Sequence, residues 1–157
     1  MKKFELTNEF ITNMFGTKLF RIRALVEFGD VEAGELGGYV EKESNLGHDD
    51  NAWVYDNAWV YGNARVYGNA LVCGDARVCG DARVCGNGDY AYAHGFGSVN
   101  RTTTFFRLKD GGVGVRCGCF YGTLAQFRDK IRETHGETKK AQEYLMLADL
   151  MKLRFEK

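Results

Sequence analysis

Residues 51–86 read NAWVYD NAWVYG NARVYG NALVCG DARVCG DARVCG, one six-residue unit written six times. A fixed short period is typical of a repeat fold, in which each unit stacks on another copy of itself. Within a unit, Ala and Val are two positions apart, so in an extended segment they point to one side and the residue between them points to the other. Gly, Asn or Asp follows, and these residues tolerate tight corners. Each unit is therefore predicted to be a short strand plus a corner.

Three units make one triangular coil, which predicts a mainly β fold, the hexapeptide parallel β-helix. Ala and Val should fill the interior of this solenoid. Extending the six-residue frame in both directions predicts a solenoid over residues 33–98, between an N-terminal β segment (1–32) and a C-terminal segment (99–157).

The end units of this frame carry the residues expected at the two mouths of the solenoid. Lys42 and His48 take the inward Val position at the N-terminal mouth. Tyr90 and Phe96 take it at the other end, where their large rings are expected to plug the interior.

The flanking segments carry ordinary strand and helix signals. Residues 18–28 alternate like a strand, and residues 3–7 are expected to pair with it. After the solenoid, segments 102–110 and 113–121 flank Gly111-Gly112, a hairpin signal. Thr123 and Gln126 form a capping box that starts a helix to about His135, and a second helix is expected over about 138–154, with an apolar stripe. The tail is thus predicted to be ββαα.

Composition narrows the functional classes. The formal net charge is zero and the pI is near 6.8, which argues against nucleic-acid binding as the role of the chain. No apolar run has the length of a membrane span or a signal peptide, so we expect a cytoplasmic protein without a membrane partner. Cys73, Cys79 and Cys85 fall on three successive walls of the coil, too far apart for disulfides. We expect reduced cysteines, no metal and no cofactor.

The outward position of each unit, together with the corner tyrosines, supplies a candidate binding surface. A solvated wall would carry Thr, Lys or Glu there, whereas this chain places Trp, Tyr and Arg, the residues enriched at binding hot spots. The alternative is that the N-terminal strands or the tail fold over these walls. The predicted surface consists of Trp53, Trp59, Leu71, Tyr55, Tyr61, Tyr67, Arg65, Arg77 and Arg83.

The arginines of that surface have a second interpretation. Arg65 and Arg83 are three units apart and should stack on one wall, with Arg77 round the corner, where they could bind phosphate or carboxylate. The alternative is a solvated face on which they pair with Asp75 and Asp81.

Most of the chain, from about residue 18, resembles a known family. RIRAL at 21–25, GELGGYVEKESNL at 34–46, the NAxVYG units and the tail that begins RCGCFYGTLAQF at 116–127 resemble the hexapeptide β-solenoid proteins of phage and prophage genomes, which include the YdcK-type proteins described as acyltransferase-like. The resemblance implies a left-handed parallel β-helix and a phage or prophage origin. The chain departs from the family pattern at Asp50 and Asp56, where the family favours Gly at corners. The transferase description rests on fold analogy, so no catalytic residue carries over.

These observations favour a non-enzymatic β-solenoid that binds protein, either a host protein such as a defence component or another copy of itself. A homo-oligomer is expected, with a dimer favoured over a trimer. One alternative is a hexapeptide-type acyltransferase, for which His48, His94 and His135 are the available bases, although their positions favour structural roles. The other alternative is a binder of an anionic nucleotide ligand on the arginine-bearing wall.

Overall fold

The computed structural model describes residues 2–97 and 101–156, and this part of the chain is mainly β with two helices near its C-terminus. The strands before and within the repeat are β1 (Phe4–Thr12), β2 (Lys18–Ala24), β3 (Leu36–Val40), β4 (Trp53–Val54), β5 (Trp59–Val60), β6 (Arg65–Val66), β7 (Leu71–Val72), β8 (Arg77–Val78) and β9 (Arg83–Val84). The remaining elements are β10 (Tyr90–Phe96), β11 (Arg101–Arg107), β12 (Val113–Cys117), β13 (Phe120–Thr123), α1 (Leu124–His135) and α2 (Lys139–Phe155). No helix among these residues is long and apolar enough to cross a membrane.

The six repeat units form a solenoid of three walls. Each unit contributes a two-residue strand, and parallel pairing joins strands that are three units apart: β4 with β7, β5 with β8 and β6 with β9. The Val of every unit is fully buried and the Ala is at most 1% exposed, as the alternation predicts. We call the wall of β4 and β7 the first wall, that of β3, β5 and β8 the second, and that of β6 and β9 the third.

The corners between the walls need a left-handed backbone. Gly62, Gly68, Gly74 and Gly80 have φ between 62° and 66°. Asp50 and Asp56 adopt the same conformation with φ of 57° and 55°, which Asp tolerates better than most residues because its short side chain bonds locally. At Gly68 a Cβ atom would also lie 2.6 Å from the carbonyl oxygen of Cys85, so this corner excludes a side chain for two reasons.

The entry to the solenoid corrects the predicted frame. Val40 pairs with Val60, and Leu46 bridges to Val66. The partners in each of these pairs are 20 residues apart in sequence, two more than the 18 residues that separate partners within the repeat. The two extra residues lie in the Gly- and Asp-rich stretch after Leu46. Val40 and Leu46 fill the interior, and the prediction that Lys42 and His48 point inward is wrong.

The N-terminal segment covers one end and one side of the solenoid. β1 pairs antiparallel with β2, as predicted, and β2 with β3, so the second wall becomes part of a five-stranded sheet in the order β1-β2-β3-β5-β8. Lys3 is 3% exposed, and its ammonium donates to the carbonyl of Ala52 at 2.6 Å while lying 4.5 Å from the centroid of the Phe28 ring. This contact satisfies a backbone acceptor where the repeat begins.

The C-terminal sheet covers the other end of the solenoid. Its order is β10-β11-β12-β13, antiparallel throughout. The predicted hairpin at Gly111-Gly112 is present between β11 and β12, but the sheet has four strands where the predicted tail had two. The last coil is capped by one side-chain acceptor and one backbone donor of the C-terminal segment: Thr104 Oγ1 accepts from Arg77 N, and Lys109 N donates to the Asp81 carbonyl. The C-terminal sheet thereby covers the backbone edge of the last coil, which would otherwise be free to pair with a strand of another molecule.

Tyr90 and Phe96, both predicted to plug the solenoid, have different positions. Tyr90 packs in the solenoid core, and its hydroxyl donates to the Leu71 carbonyl at 2.6 Å. Phe96 instead packs against the core of the C-terminal segment, because β10 has left the coil to pair with β11. The predicted boundary between residues 98 and 99 lies outside the described residues.

The two helices pack on the C-terminal sheet and form a second core. Thr123 and Gln126 make the predicted capping box of α1, and Gly136 ends that helix with φ of 59°. The predicted stripe of α2 faces this core, where Tyr144 packs edge-on against Phe127 at 5.7 Å between ring centroids. The stripe therefore completes a local core.

Candidate functional site

The nine predicted surface residues are distributed over all three walls, with the opposed pairs that the three-unit coil predicts. Trp53 opposes Leu71 on the first wall, Trp59 opposes Arg77 on the second, and Arg65 opposes Arg83 on the third. Tyr55, Tyr61 and Tyr67 follow at the corners, partly buried, buried and exposed in turn. The walls differ sharply in what covers them.

The first wall is covered by the N-terminal segment. Trp53 is completely buried, contrary to the prediction that it faces solvent, because the rings of Phe4 and Phe28 pack edge-on against it at 6.4 and 5.3 Å. Its indole Nε1 has no hydrogen-bond partner among the described residues. Leu71 and Tyr55 are partly buried against the same core. The alternative in which the N-terminal strands fold over the walls therefore holds for this wall.

The second wall carries a ladder of stacked arginines and aromatic rings. At one end the Arg21 guanidinium lies 4.4 Å from the Tyr39 ring centroid, and at the other end that of Arg77 lies 3.9 Å from the Trp59 ring. Arg21 is also paired with Glu9 at 2.6 Å. Arg77 Nη1 donates to backbone carbonyls, of which Asp75 is the closest at 2.7 Å, and no carboxylate within the described residues forms an ion pair with it. The two ends of the ladder thus differ in charge balance.

A cleft of about 390 Å³ opens at the Arg77 end of this ladder. The solenoid supplies Trp59, Tyr61 and Arg77, and the end of β1 and the turn after it supply Thr12, Asn13 and Met14. The C-terminal sheet supplies Arg101, Thr102, Arg116 and Gly118. Three segments that are distant in sequence therefore bring three arginines and two aromatic residues to one place.

Tyr61, which lines the cleft, is stacked on a residue of the next coil. The Tyr61 hydroxyl lies against the thiol of Cys79, which takes the same corner position in the following coil. Burial raises the pKa of Tyr61 above its ordinary value and raises the pKa of the Cys79 thiol to about 11, so both groups are neutral at pH 7. The positive charges of Arg77 and Arg116 act to lower the pKa of Tyr61, which places both guanidinium groups near its ring.

Sequence reasoning missed part of this site. Arg101, Arg116 and Asn13 lie in the flanking segments, where no repeat pattern gives them a direction. The stacking of Tyr on Cys could have been predicted from the sequence. The two residues of each pair take the same position in units that are three apart, which is the length of one coil. The pairs are Tyr55 with Cys73, Tyr61 with Cys79 and Tyr67 with Cys85.

The third wall holds the predicted stack of Arg65 and Arg83. Arg65 is exposed, and Arg83 Nη1 donates to the carbonyl of Asn63 at 2.9 Å. A shallow depression beside them also contains Lys42, Lys109 and Asp81, with Lys109 and Asp81 4.0 Å apart. Arg77 does not join this group, because it points into the cleft of the second wall. The predicted arginine-bearing surface is therefore divided between two walls.

The histidines and cysteines have structural surroundings. His48 stacks on Phe4 at 4.4 Å and its Nδ1 accepts from Lys3 N, while His94 Nδ1 lies 2.7 Å from Thr102 Oγ1. His135 stacks on Tyr144 near the end of α1. None of the three is among the residues that line the cleft of the second wall. The five cysteines are free thiols, and no group of three or more His, Cys, Asp or Glu within residues 2–97 and 101–156 is placed to hold a metal ion.

Two apolar surfaces outside the solenoid are exposed. On α2, Met146, Leu150 and Leu153 are 71%, 53% and 66% exposed and lie on the side opposite the second core. At the tip of the β1–β2 hairpin, Met14 and Phe15 are 67% and 62% exposed, and Phe10 nearby is 46% exposed. Neither surface was predicted, because the inward stripe of α2 and the hairpin end were interpreted without knowing what they pack against.

Comparison with protein families supports the repeat assignment. The family described as YdcK Beta solenoid repeat matches residues 58–74 and, in an overlapping match, residues 64–80. These residues span β5 to the corner after β8, within the solenoid. No curated protein matches the chain significantly. The repeat region is thus similar to a β-solenoid family.

Proposed function

We propose that this protein is a non-enzymatic β-solenoid that acts by binding protein, and that it assembles with a second copy of itself through the outward face of α2. The observation that carries the proposal is the exposed stripe of Met146, Leu150 and Leu153. Soluble proteins seldom leave a continuous apolar stripe on a regular helix without a partner.

The spacing of the stripe favours a second helix as its occupant. Met146, Leu150 and Leu153 follow one another at intervals of four and three positions, the spacing of the seam along which two helices pack. A second copy of α2 supplies a matching seam, and a two-fold axis lets each copy use the same surface. The formal net charge of zero means that long-range repulsion does not oppose self-association. These points favour a dimer.

The test is the mass in solution of the full-length protein and of a variant with Met146→Gln, Leu150→Gln and Leu153→Gln. We expect the native protein at twice the 17.7 kDa chain mass and the variant at the chain mass, with an unchanged circular dichroism spectrum because Tyr144, Ala148 and Met151 on the inner face are untouched. A matched control carries Met14→Gln and Phe15→Gln and should remain a dimer. A native protein of 17.7 kDa at micromolar concentration contradicts the dimer.

The hairpin tip favours a second candidate, a host protein as partner. Phe10, Met14 and Phe15 project an apolar tip beside the arginine-lined cleft, a combination of residue types that is typical of binding hot spots. Capture of one host protein by the native chain and its loss with Met14→Gln and Phe15→Gln would support this candidate. Equal capture by the two proteins would contradict it.

The remaining parts of the proposal rest on the resemblance and on composition. We place the protein in the cytoplasm and assign it a phage or prophage origin, and we take its coils to be left-handed as in the proteins that it resembles. The match to the solenoid repeat family over residues 58–80 supports the class of fold on which these assignments depend.

A further inference from the structure

We infer that the cleft at the Arg77 end of the second wall binds a nucleotide, with its phosphate groups on Arg77, Arg101 and Arg116 and its base beside the aromatic rings. The site lies on other elements than the stripe of α2, so it goes beyond the proposed function. It also differs from the arginine wall predicted from the sequence, since only Arg77 is common to both.

The first argument is an excess of positive charge. Several arginines elsewhere in the described part of the chain are paired with acids, among them Arg21 with Glu9, Arg107 with Asp89 and Arg128 with Asp149, whereas Arg83 and Arg154 donate to backbone carbonyls. The cleft collects three arginines, and no Asp or Glu of the described residues lines it. Three arginines that line one cleft without a carboxylate match an anion with several oxygens, which describes a di- or triphosphate.

The second argument is that a neutral donor is fixed in the cleft wall. Asn13 is buried, and its Oδ1 accepts hydrogen bonds from the backbone N–H groups of Phe15 and Thr17 at 2.9 and 3.0 Å. The side-chain orientation is thereby determined, and the Nδ2 group is left as the donor, with no acceptor among the described residues. A phosphate or base oxygen in the cleft would supply that acceptor.

The third argument concerns the groups on which the base of the nucleotide can stack. The Arg116 guanidinium lies 5.2 Å from the Phe15 ring centroid and 5.9 Å from that of Tyr61, while Arg77 covers one face of Trp59. Planar cations and aromatic rings at this spacing provide stacking partners for a base. The volume of about 390 Å³ lies at the lower end of the range for small-ligand pockets, which suits one nucleotide rather than an oligonucleotide.

The third wall is the competing site, with two arginines, Arg65 and Arg83, where the cleft has three. Its depression contains Asp81 close to Lys109, so part of its charge is already balanced. The residues that line this depression include no aromatic side chain, and the adjoining hollow of about 270 Å³ over Arg65 and Arg83 offers one ring, that of Tyr67, where the cleft has two. A substitution on this wall is therefore the matched control for one in the cleft.

The experiment titrates the full-length protein with ADP, GDP, CDP and UDP, and separately with inorganic pyrophosphate, adenosine and an oligo-glutamate peptide, by calorimetry and tryptophan fluorescence. We expect at least one nucleoside diphosphate to bind with a 1:1 stoichiometry and to change the emission of Trp59. Pyrophosphate and adenosine should bind at least tenfold more weakly, since each makes half of the contacts. Failure of all four nucleotides to bind below about 1 mM overturns the inference.

Variants locate the site. Arg116→Met should weaken nucleotide binding at least tenfold without changing the melting temperature, because the Arg116 side chain forms no hydrogen bond or ion pair with the described residues. Arg83→Met should leave binding unchanged, and Trp59→Phe should retain binding by calorimetry while losing the fluorescence change. Equal weakening by Arg83→Met and Arg116→Met, pyrophosphate binding as tight as that of the nucleotide, or binding of the peptide in place of nucleotides would each overturn the assignment.

Discussion

Trp53 and Trp59 occupy the same position in consecutive repeat units, and yet one belongs to the core and the other to an open cleft. Trp53 is fully buried beneath Phe4 and Phe28, and its indole N–H has no partner in the described structure. Trp59 is partly exposed, lies under Arg77 and lines the cleft. The repeat determines the direction in which a side chain points. Whether that direction leads to solvent depends on segments outside the repeat.

Replacing each tryptophan by alanine should produce the largest contrast. Trp53→Ala empties a fully enclosed site and should cost about 3–5 kcal/mol of unfolding free energy, whereas Trp59→Ala should cost about 1 kcal/mol. Urea denaturation of both variants measures the difference. Equal costs would mean that the N-terminal segment does not cover the first wall in solution.

The corners should show a smaller contrast. Gly68→Ala forces a side chain into a left-handed corner and against the Cys85 carbonyl, and it should cost about 1–3 kcal/mol. Asp56→Gly relieves the same backbone conformation at the corner after the first wall and should change stability by less than about 1 kcal/mol, because Asp56 also accepts a hydrogen bond from Gly74 N. The unfolding free energies of the two variants test this order. A Gly68→Ala protein as stable as the native one would contradict the corner geometry.

Lys3, which lies beneath the covered side, should give stability a measurable pH dependence. Burial lowers the pKa of its ammonium from 10.5 to about 8, with Asp50 and Asp49 partly opposing the shift. Between pH 8 and 10.5 the unfolded chain therefore holds a proton that the folded chain has released, so raising the pH favours the folded state. The gain from this residue should be about 1–2 kcal/mol between pH 8 and 10.

The control for this pH effect is Lys3→Met, measured over the same range. Tyrosine and cysteine groups with raised pKa values, such as Cys79, destabilise the folded state at high pH in both proteins, and the difference between the two curves removes their effect. A constant difference from pH 8 to 10 would show that Lys3 keeps an ordinary pKa.

Single-tryptophan variants should show the smallest difference between the two walls. The native protein contains two tryptophans, so Trp59→Phe leaves Trp53 as the sole emitter and Trp53→Phe leaves Trp59. Trp53 should emit at short wavelength and resist quenching by iodide. Trp59 should be quenched readily, since the arginines around it attract the anion. Similar quenching of both would remove the distinction between the two walls.

The sequence predicted the structure of the repeat units well, but it predicted poorly how the flanking segments pack on them. Alternation of Ala and Val predicted the interior from Ala52 to Val84, and the three-unit coil predicted the opposed pairs on each wall. The frame failed before Asn51 because a Gly- and Asp-rich corner can hold two more residues without any change in its composition. The burial of Trp53 depends on Phe4 and Phe28, and the cleft depends on Arg101 and Arg116, contacts that no local pattern encodes.

The register of three units per coil also limits how this molecule can change in length. Inserting one complete coil would move the C-terminal sheet about 4.8 Å along the axis while keeping it on the same walls. Inserting a single unit would instead turn that sheet by a third of a revolution, carrying Arg116 away from Trp59 and Met14. Gain or loss of repeats should therefore be tolerated by the solenoid one unit at a time, but by the cleft only one whole coil at a time.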